Sequence, residues 1–268
     1  MRNIFFVLLF AVAALVAGCK KDDNSTTPQS GSGSAMLKLY MADAPAHYNS
    51  VNIQVTKVEV HQGSDTSSST GSWLVVKDST MNIDLVQLRN GVTALLGNTP
   101  LPAGQYSQIR LMIGPGSYVT DESGTKHDLS IPSGSQTGVK LNNSFTLQDG
   151  VTYELTLDFD ASKSIVVTGN NSYKLKPVIR VEANALTGTI SGQILPLDAK
   201  VDVHTIAGAD TITTFPNAQG YFKLMAIPEG TYTVHIAHSE TGYKDVEQAN
   251  VKVTKGQNTD IGTITLTK

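Results

Sequence analysis

Asp158 and Asp160 are the carboxylate pair whose type and spacing could do chemistry. Leu157 and Phe159 flank them in the alternating run Val151, Tyr153, Leu155, Leu157, Phe159, so both carboxylates project from the face opposite the apolar one. On a strand their Cα atoms stand ~6.7 Å apart. With Asp43 they would offer the oxygen ligands that calcium takes. The competing outcome is cross-strand pairing with Lys174, Lys176 and Arg180, each pair stabilising a sheet by roughly 0.2–1 kcal/mol. Pairing is the outcome these residues favour, and no metal site is expected.

Other chemistry is sparse. The histidines, at 47, 61, 127, 204, 235 and 238, are scattered. His235 and His238 lie three apart on a strand and its exit, which is expected to place them on different sides. No His-Glu-x-x-His pair occurs, and Gly134-Ser135-Gln136-Thr137-Gly138 puts its serine in the wrong place for a Gly-x-Ser-x-Gly elbow. The expectation is a chain without enzyme activity, catalytic residues or cofactor. Among aromatic residues, Trp73 is the sole tryptophan and follows a Gly/Ser/Thr loop, while Tyr48 and Tyr118 also neighbour turns. Rings exposed there could stack on sugars, and rings turned inward would plug the ends of a core.

Strands must carry these residues. Val51, Ile53 and Val55 alternate with polar residues, then Val58 and Val60 continue in the opposite phase, which predicts a β-bulge around Thr56-Lys57. Ile109, Leu111 and Ile113 give another period-two run. So do Tyr173, Leu175, Ile179 and Val181, interrupted by Pro177, which places that strand at an edge or a bulge. Val86 to Leu96 alone suggests a short helix. Turn signals such as Asp43-Ala44-Pro45, Asn90-Gly91, Gly114-Pro115-Gly116 and Asp149-Gly150 punctuate the runs. The reading is all-β, with two antiparallel β-sandwiches in tandem. Gly220 and Gly230 fall where tight hairpins of the second sandwich would use positive φ.

Composition agrees with that class. Charged residues make up 16% and hydrophobic ones 40% of 268 residues, enough for real cores. A net charge of −3 gives no basic footprint for nucleic acid.

The amino-terminal stretch is of a different kind. Arg2 precedes an uncharged segment from Ile4 to Gly18, the layout of a signal peptide over residues 1–18. At 1.5 Å per residue that segment reaches ~22 Å, short of the ~30 Å hydrocarbon core. Val16-Ala17-Gly18-Cys19 resembles the lipobox of bacterial lipoproteins, which implies lipidation of Cys19, the single cysteine, and cleavage before it. Several acyl chains, at ~0.8 kcal/mol per buried CH₂, would hold such a protein on a bilayer. Lys20-Lys21-Asp22-Asp23 resembles the export signal of some surface lipoproteins; solvation of a tether is its alternative reading. Residues 19–34 read as lipidated cysteine and flexible spacer, with a reach of roughly 20 Å.

Residues 35–186 carry a family resemblance. Met41-Ala42-Asp43-Ala44-Pro45, Val51 to Val60, Leu101-Pro102-Ala103-Gly104-Gln105-Tyr106, Ile109-Arg110-Leu111, Pro132 to Gly138, Leu157 to Ala161 and Leu175 to Val181 together resemble domain-of-unknown-function family 4382. That family occurs in exported bacterial proteins and brings no established activity. Residues 187–268, with Gly188-Thr189-Ile190-Ser191-Gly192, Asn217 to Phe222 and Ile227-Pro228-Glu229-Gly230-Thr231-Tyr232, resemble the carboxypeptidase regulatory-like module. This implies a seven-strand transthyretin-like sandwich, a fold shared by some starch-binding modules.

The expected function is a non-enzymatic outer-membrane lipoprotein, held by its lipid anchor and exposed at the cell surface or on the periplasmic face. There it would bind or scaffold a surface protein. The alternative is a glycan-binding accessory of polysaccharide capture that uses Trp73, Tyr48 and Tyr118.

Overall fold

The computed structural model describes residues 33–44, 47–64, 72–132, 138–169 and 172–268. The signal peptide, Cys19, the Lys20 to Asp23 cluster and most of the spacer lie outside the described residues, as do Pro45 and the serine of the Gly134 to Gly138 segment.

The first module runs through β1 (Ser34–Ala44), β2 (Ser50–Gln62), β3 (Ser72–Lys77), β4 (Met81–Asp84), β5 (Ala94–Pro102), β6 (Gly104–Ile113), β7 (Tyr118–Thr120), β8 (Lys126–Ser130), β9 (Val139–Leu147), β10 (Thr152–Asp160), β11 (Ile165–Thr168), β12 (Ser172–Leu175) and β13 (Ile179–Ala183). One sheet has the order β13-β10-β1-β5; the other runs β11-β12-β8-β7-β2-β6-β9. The thirteen-residue β2 is its spine, pairing β7 and β6 along one edge and β4 and β3 along the other. Between the sheets lie Leu37, Leu39 and Met41 of β1 and Leu155, Leu157 and Phe159 of β10, against Val51, Ile53, Val58, Ile109 and Leu111.

The phase flip in β2 is a bulge: the register against β6 shifts between Val55 and Lys57, and the buried side chains change from Val51, Ile53 and Val55 to Val58 and Val60. Pro177 marks something sharper than an edge. The alternating run there is two strands in different sheets, β12 beside β11 and β8, and β13 at the rim beside β10. The short helix expected over Val86 to Leu96 is absent. Asp84 caps a 3-10 turn at Leu85–Gln87, and Ala94 already belongs to β5. A helical turn does occur at α1 (Ala161–Ser164). Three pairings are parallel, β1 with β10, β12 with β8, and β14 (Thr187–Leu195) with β20 (Asn258–Thr265), within otherwise antiparallel sheets.

The second module continues with β15 (Asp202–Ala207), β16 (Asp210–Thr214), β17 (Tyr221–Pro228), β18 (Gly230–Ala237) and β19 (Val246–Val253). Its seven strands form sheets β17-β14-β20 and β16-β15-β18-β19 around Ile190, Val203, Phe222, Leu224, Val234 and Ile236. Gly220 has the expected positive φ of 80°. Gly230 lacks it; an added Cβ there would make a tight contact, 3.1–3.2 Å from the Tyr232 phenol.

Both modules turn the same corner. Leu101-Pro102-Ala103-Gly104-Gln105-Tyr106 and Ile227-Pro228-Glu229-Gly230-Thr231-Tyr232 share a Pro-x-Gly-x-Tyr pattern. In each, the tyrosine hydroxyl donates to the proline carbonyl four residues back at 2.8 Å. This is the logic of a tyrosine corner, a phenol that closes the turn between strands through its polar tip while its ring packs inward. Burial pushes the Tyr106 phenol up to about 12.

Asp43 extends the buried parity of Leu37, Leu39 and Met41, so its carboxyl enters the end of the core and is only 6% exposed. One oxygen accepts from the Ala161 N–H at 3.2 Å; the other has no hydrogen-bond partner among the described residues. Burial, foremost, and then the nearby Asp158 and Asp160 push its protonation well above the usual carboxylate range, against the Ala161 N–H and Arg89.

Two outcomes follow from these buried groups. Tyr106→Phe and Tyr232→Phe should each destabilise by about 1 kcal/mol, read as a lower midpoint in urea at unchanged slope. For Asp43 the raised folded-state value makes the carboxyl's contribution greatest at low pH and lost as pH rises from its unfolded range near 4. Asp43→Asn keeps the acceptor for Ala161 and removes the charge. It should therefore melt higher than the parent at pH 7, by a margin that closes toward pH 4; an equal margin at both pH values would refute a neutral buried carboxyl.

Candidate functional site at the junction of the modules

The two modules meet at a turn whose signal is plain in the sequence, Asn90-Gly91. Both residues have positive φ, 57° and 91°, the combination of a type I′ turn. That conformation aims the Asn90 side chain into the second module. Its amide nitrogen donates to the Phe215 carbonyl at 3.0 Å, and its oxygen accepts from the Thr214 hydroxyl at 3.0 Å and the Lys223 N–H at 3.1 Å. Arg180 makes a second tie. It pairs with Asp158 at 2.7 Å directly across β10 and β13, and donates to the Ala226 carbonyl at 3.1 Å.

Beside this lock lies a cleft of about 280 Å³ lined by His47 and Glu122 from the first module and by Lys200, Asp202, Phe215 and His238 from the second. His47 tilts against Phe215 at 4.9 Å and pairs with Glu240 at 3.5 Å. Asp202 and His204 alternate with the buried Val203 and Thr205 along β15, so they share its outer face. His235 stands directly opposite His204 on β18, ring on ring at 5.0 Å, with Glu247 at 3.2 Å from its Nδ1.

His238, the residue after β18, has φ 56°. A left-handed residue breaks the strand's alternation, so His238 turns back toward His204, 6.1 Å between ring centroids, instead of facing the other side from His235. Asp202 joins both: one oxygen lies 3.3 Å from His204 Nδ1 and the other 2.9 Å from His238 Nδ1. The chain beyond is pinned, since the hydroxyls of Ser239 and Thr241 donate to the Ala199 carbonyl at 2.6 and 2.8 Å. Local alternation misses this cluster. The Asp-x-His spacing of Asp202 and His204 was the available signal.

The carboxylates singled out by spacing are placed apart. β1 and β10 run in parallel register, with Ala42 beside Asp158 and Ala44 beside Asp160, so Asp43 points into the core while the other two point away from it. Asp158 is paired with Arg180, the cross-strand outcome. Asp160 caps α1, accepting from the Lys163 N–H at 3.0 Å and the Ser162 hydroxyl at 2.6 Å. Of the expected cationic partners, only Arg180 meets Asp158; Asp160 finds the Lys163 ammonium at 2.8 Å.

Nor do the aromatic residues share a platform. Trp73 lies between the Arg110 guanidinium, 4.0 Å over its ring, and His61 at 5.1 Å. The same Arg110 and Lys57, the latter at 2.8 Å, hold Glu59, which is 6% exposed. Burial alone would raise that carboxyl, and the two cations outweigh it and lower it. Tyr118 sits under the Lys126 ammonium at 3.9 Å, and Tyr48 packs on the core. Trp73 faces His61 and Tyr118 faces Asn52 along β2, about 30 Å apart at ~3.3 Å per residue.

No curated protein matches the chain. Among solved structures, a chain of a type II Cohesin-X-Dockerin complex from Acetivibrio cellulolyticus is 27% identical over 30% of this chain and 56% of that one, with a TM-score of 0.25. GBS52, the minor pilin of Streptococcus agalactiae, is 11% identical over 86% of this chain and 95% of its own, TM-score 0.25. The TIE protein of Bacillus anthracis is 12% identical over 88% of this chain and 34% of its own, TM-score 0.23. The chain thus spans just over half of the cohesin-complex chain and a third of the TIE protein. Residues 186–267 match the carboxypeptidase regulatory-like domain. Residues 34–177, more than half of the sequence, match the domain of unknown function DUF4382, and the chain belongs to that family.

Proposed function

We propose that the chain is a non-enzymatic lipoprotein of the outer membrane, anchored through Cys19 and displayed at the cell surface, where its paired β-sandwiches bind or scaffold a surface protein. The observation that carries this reading is the lock between the modules. Asn90 and Arg180 join two sandwiches into one unit, which suits presentation of a fixed surface at the end of a tether. The carboxylates best spaced for catalysis support it too, because Asp158 and Asp160 are committed to Arg180 and to the cap of α1. Neither matched family description names a catalytic activity. The lipobox-like Val16 to Cys19 and the Lys20 to Asp23 cluster supply the address.

Protease treatment of intact cells tests the address. The chain is expected to be degraded on intact cells, and Cys19→Ser is expected to lose both fatty-acid labelling and membrane association. Protection on intact cells with loss after lysis would place the protein on the periplasmic face and refute display; unchanged labelling of Cys19→Ser would refute the anchor. The lock has its own test. Asn90→Ala removes three hydrogen bonds between modules and should cost about 2 kcal/mol. Calorimetry is expected to resolve two transitions in the variant where the parent gives one, whereas a single unshifted transition would show that the modules are held otherwise.

A further inference from the structure

We propose that Asp202, His204 and His238 form a binding site for a divalent transition metal ion of the zinc–copper class, at the mouth of the cleft between the modules. The donor atoms of the three side chains lie within 4.8 Å of one another. The Asp202 oxygens already stand 2.9 and 3.3 Å from the two imidazole nitrogens. Ligands bound at ~2.1 Å are separated by ~3.0 Å around an octahedral ion and ~3.4 Å around a tetrahedral one. An ion would thus take the place of these hydrogen bonds, each imidazole ligating through Nδ1 with its proton on Nε2, with little movement of the Asp202–His204 pair.

The backbone prepares this arrangement. Asp202 and His204 are two residues apart on one strand face, and their side chains are 19% and 18% exposed. His238 is 75% exposed, so its ring can close the remaining gap. Its left-handed backbone is what brings it to that face, and Ser239 and Thr241 hold the segment there. His235 stacks on His204 and is itself paired with Glu247, which fixes the plane of the ligating ring. Two imidazoles and one carboxylate are a borderline donor set. They suit zinc, copper and nickel, whereas calcium asks for an all-oxygen shell. Three protein ligands leave coordination positions open toward the cleft.

The test is calorimetric titration of the full chain in detergent with zinc chloride, and separately with calcium chloride. One zinc per chain is expected, without heat from calcium. Asp202→Asn and His238→Asn should each weaken zinc binding at least tenfold while the melting temperature without metal stays within a few degrees of the parent. Asparagine at 238 tolerates the left-handed backbone, so that variant separates a lost ligand from a lost fold. His127→Gln, which removes a histidine paired with Asp121 elsewhere, should bind zinc as the parent does. Absence of zinc binding, or binding unchanged in both Asp202→Asn and His238→Asn, would overturn the site.

Discussion

Asn90 makes three of the hydrogen bonds that tie the two modules together. Asn90 occupies a left-handed position that costs most residues about a kilocalorie or more, and its short amide makes that conformation accessible. In exchange, its two polar ends meet three groups of the second module. Two of those partners are main-chain groups at β16 and β17, the Phe215 carbonyl and the Lys223 N–H. The lock therefore depends on the path of that backbone more than on side-chain packing. Arg180, also of the first module, obeys the same rule, reaching the Ala226 carbonyl while it pairs with Asp158. Ala226 itself has a positive φ of 54°. Phe215, whose carbonyl accepts one of these ties, also lines the cleft.

Polar groups inside the modules follow a related economy. On the outer face of β2, Glu59 and His61 are buried, and each has a partner: Lys57 and Arg110 for the carboxylate, Ser107 for the imidazole. Trp73 touches this network through the Arg110 guanidinium and the His61 ring. Breaking a buried pair leaves an uncompensated charge, a larger loss than any gain from making the pair. Asp43 is the exception among the described residues, a carboxyl oxygen without a protein partner at the edge of the core. Burial pushes its protonation upward, toward the neutral form that avoids most of the cost an isolated charge would meet there.

Much of the fold was legible because strands advertise themselves locally. The bulge at Thr56 could be read from a change of phase, and the Asn90-Gly91 turn from its residues alone. What a sequence does not carry locally is which strands meet. The parallel pairing of β1 with β10 depends on segments more than a hundred residues apart, and that register is what sends Asp43 to the opposite face from Asp158 and Asp160. Pro177 announced a break, but the change of sheet on either side of it is a tertiary fact. The repeated Pro-x-Gly-x-Tyr corner was visible in the letters and needed the two hydroxyl bonds to acquire meaning.

The histidine cluster shows where alternation fails as a guide. Period-two reasoning assumes every residue is extended, and it assigns His235 and His238 to opposite faces. A single left-handed residue at 238 cancels that assignment, and the hydroxyls of Ser239 and Thr241 make the exception durable by tying the exit of β18 to the Ala199 carbonyl. The donors then come from the second module alone, while His47 and Glu122 of the first help line the cleft they face. An ion held by Asp202, His204 and His238 would be anchored in one sandwich with its open coordination positions bounded by the other. Whatever completes that shell would have to fit the cleft that His47, Glu122 and Phe215 line beside it.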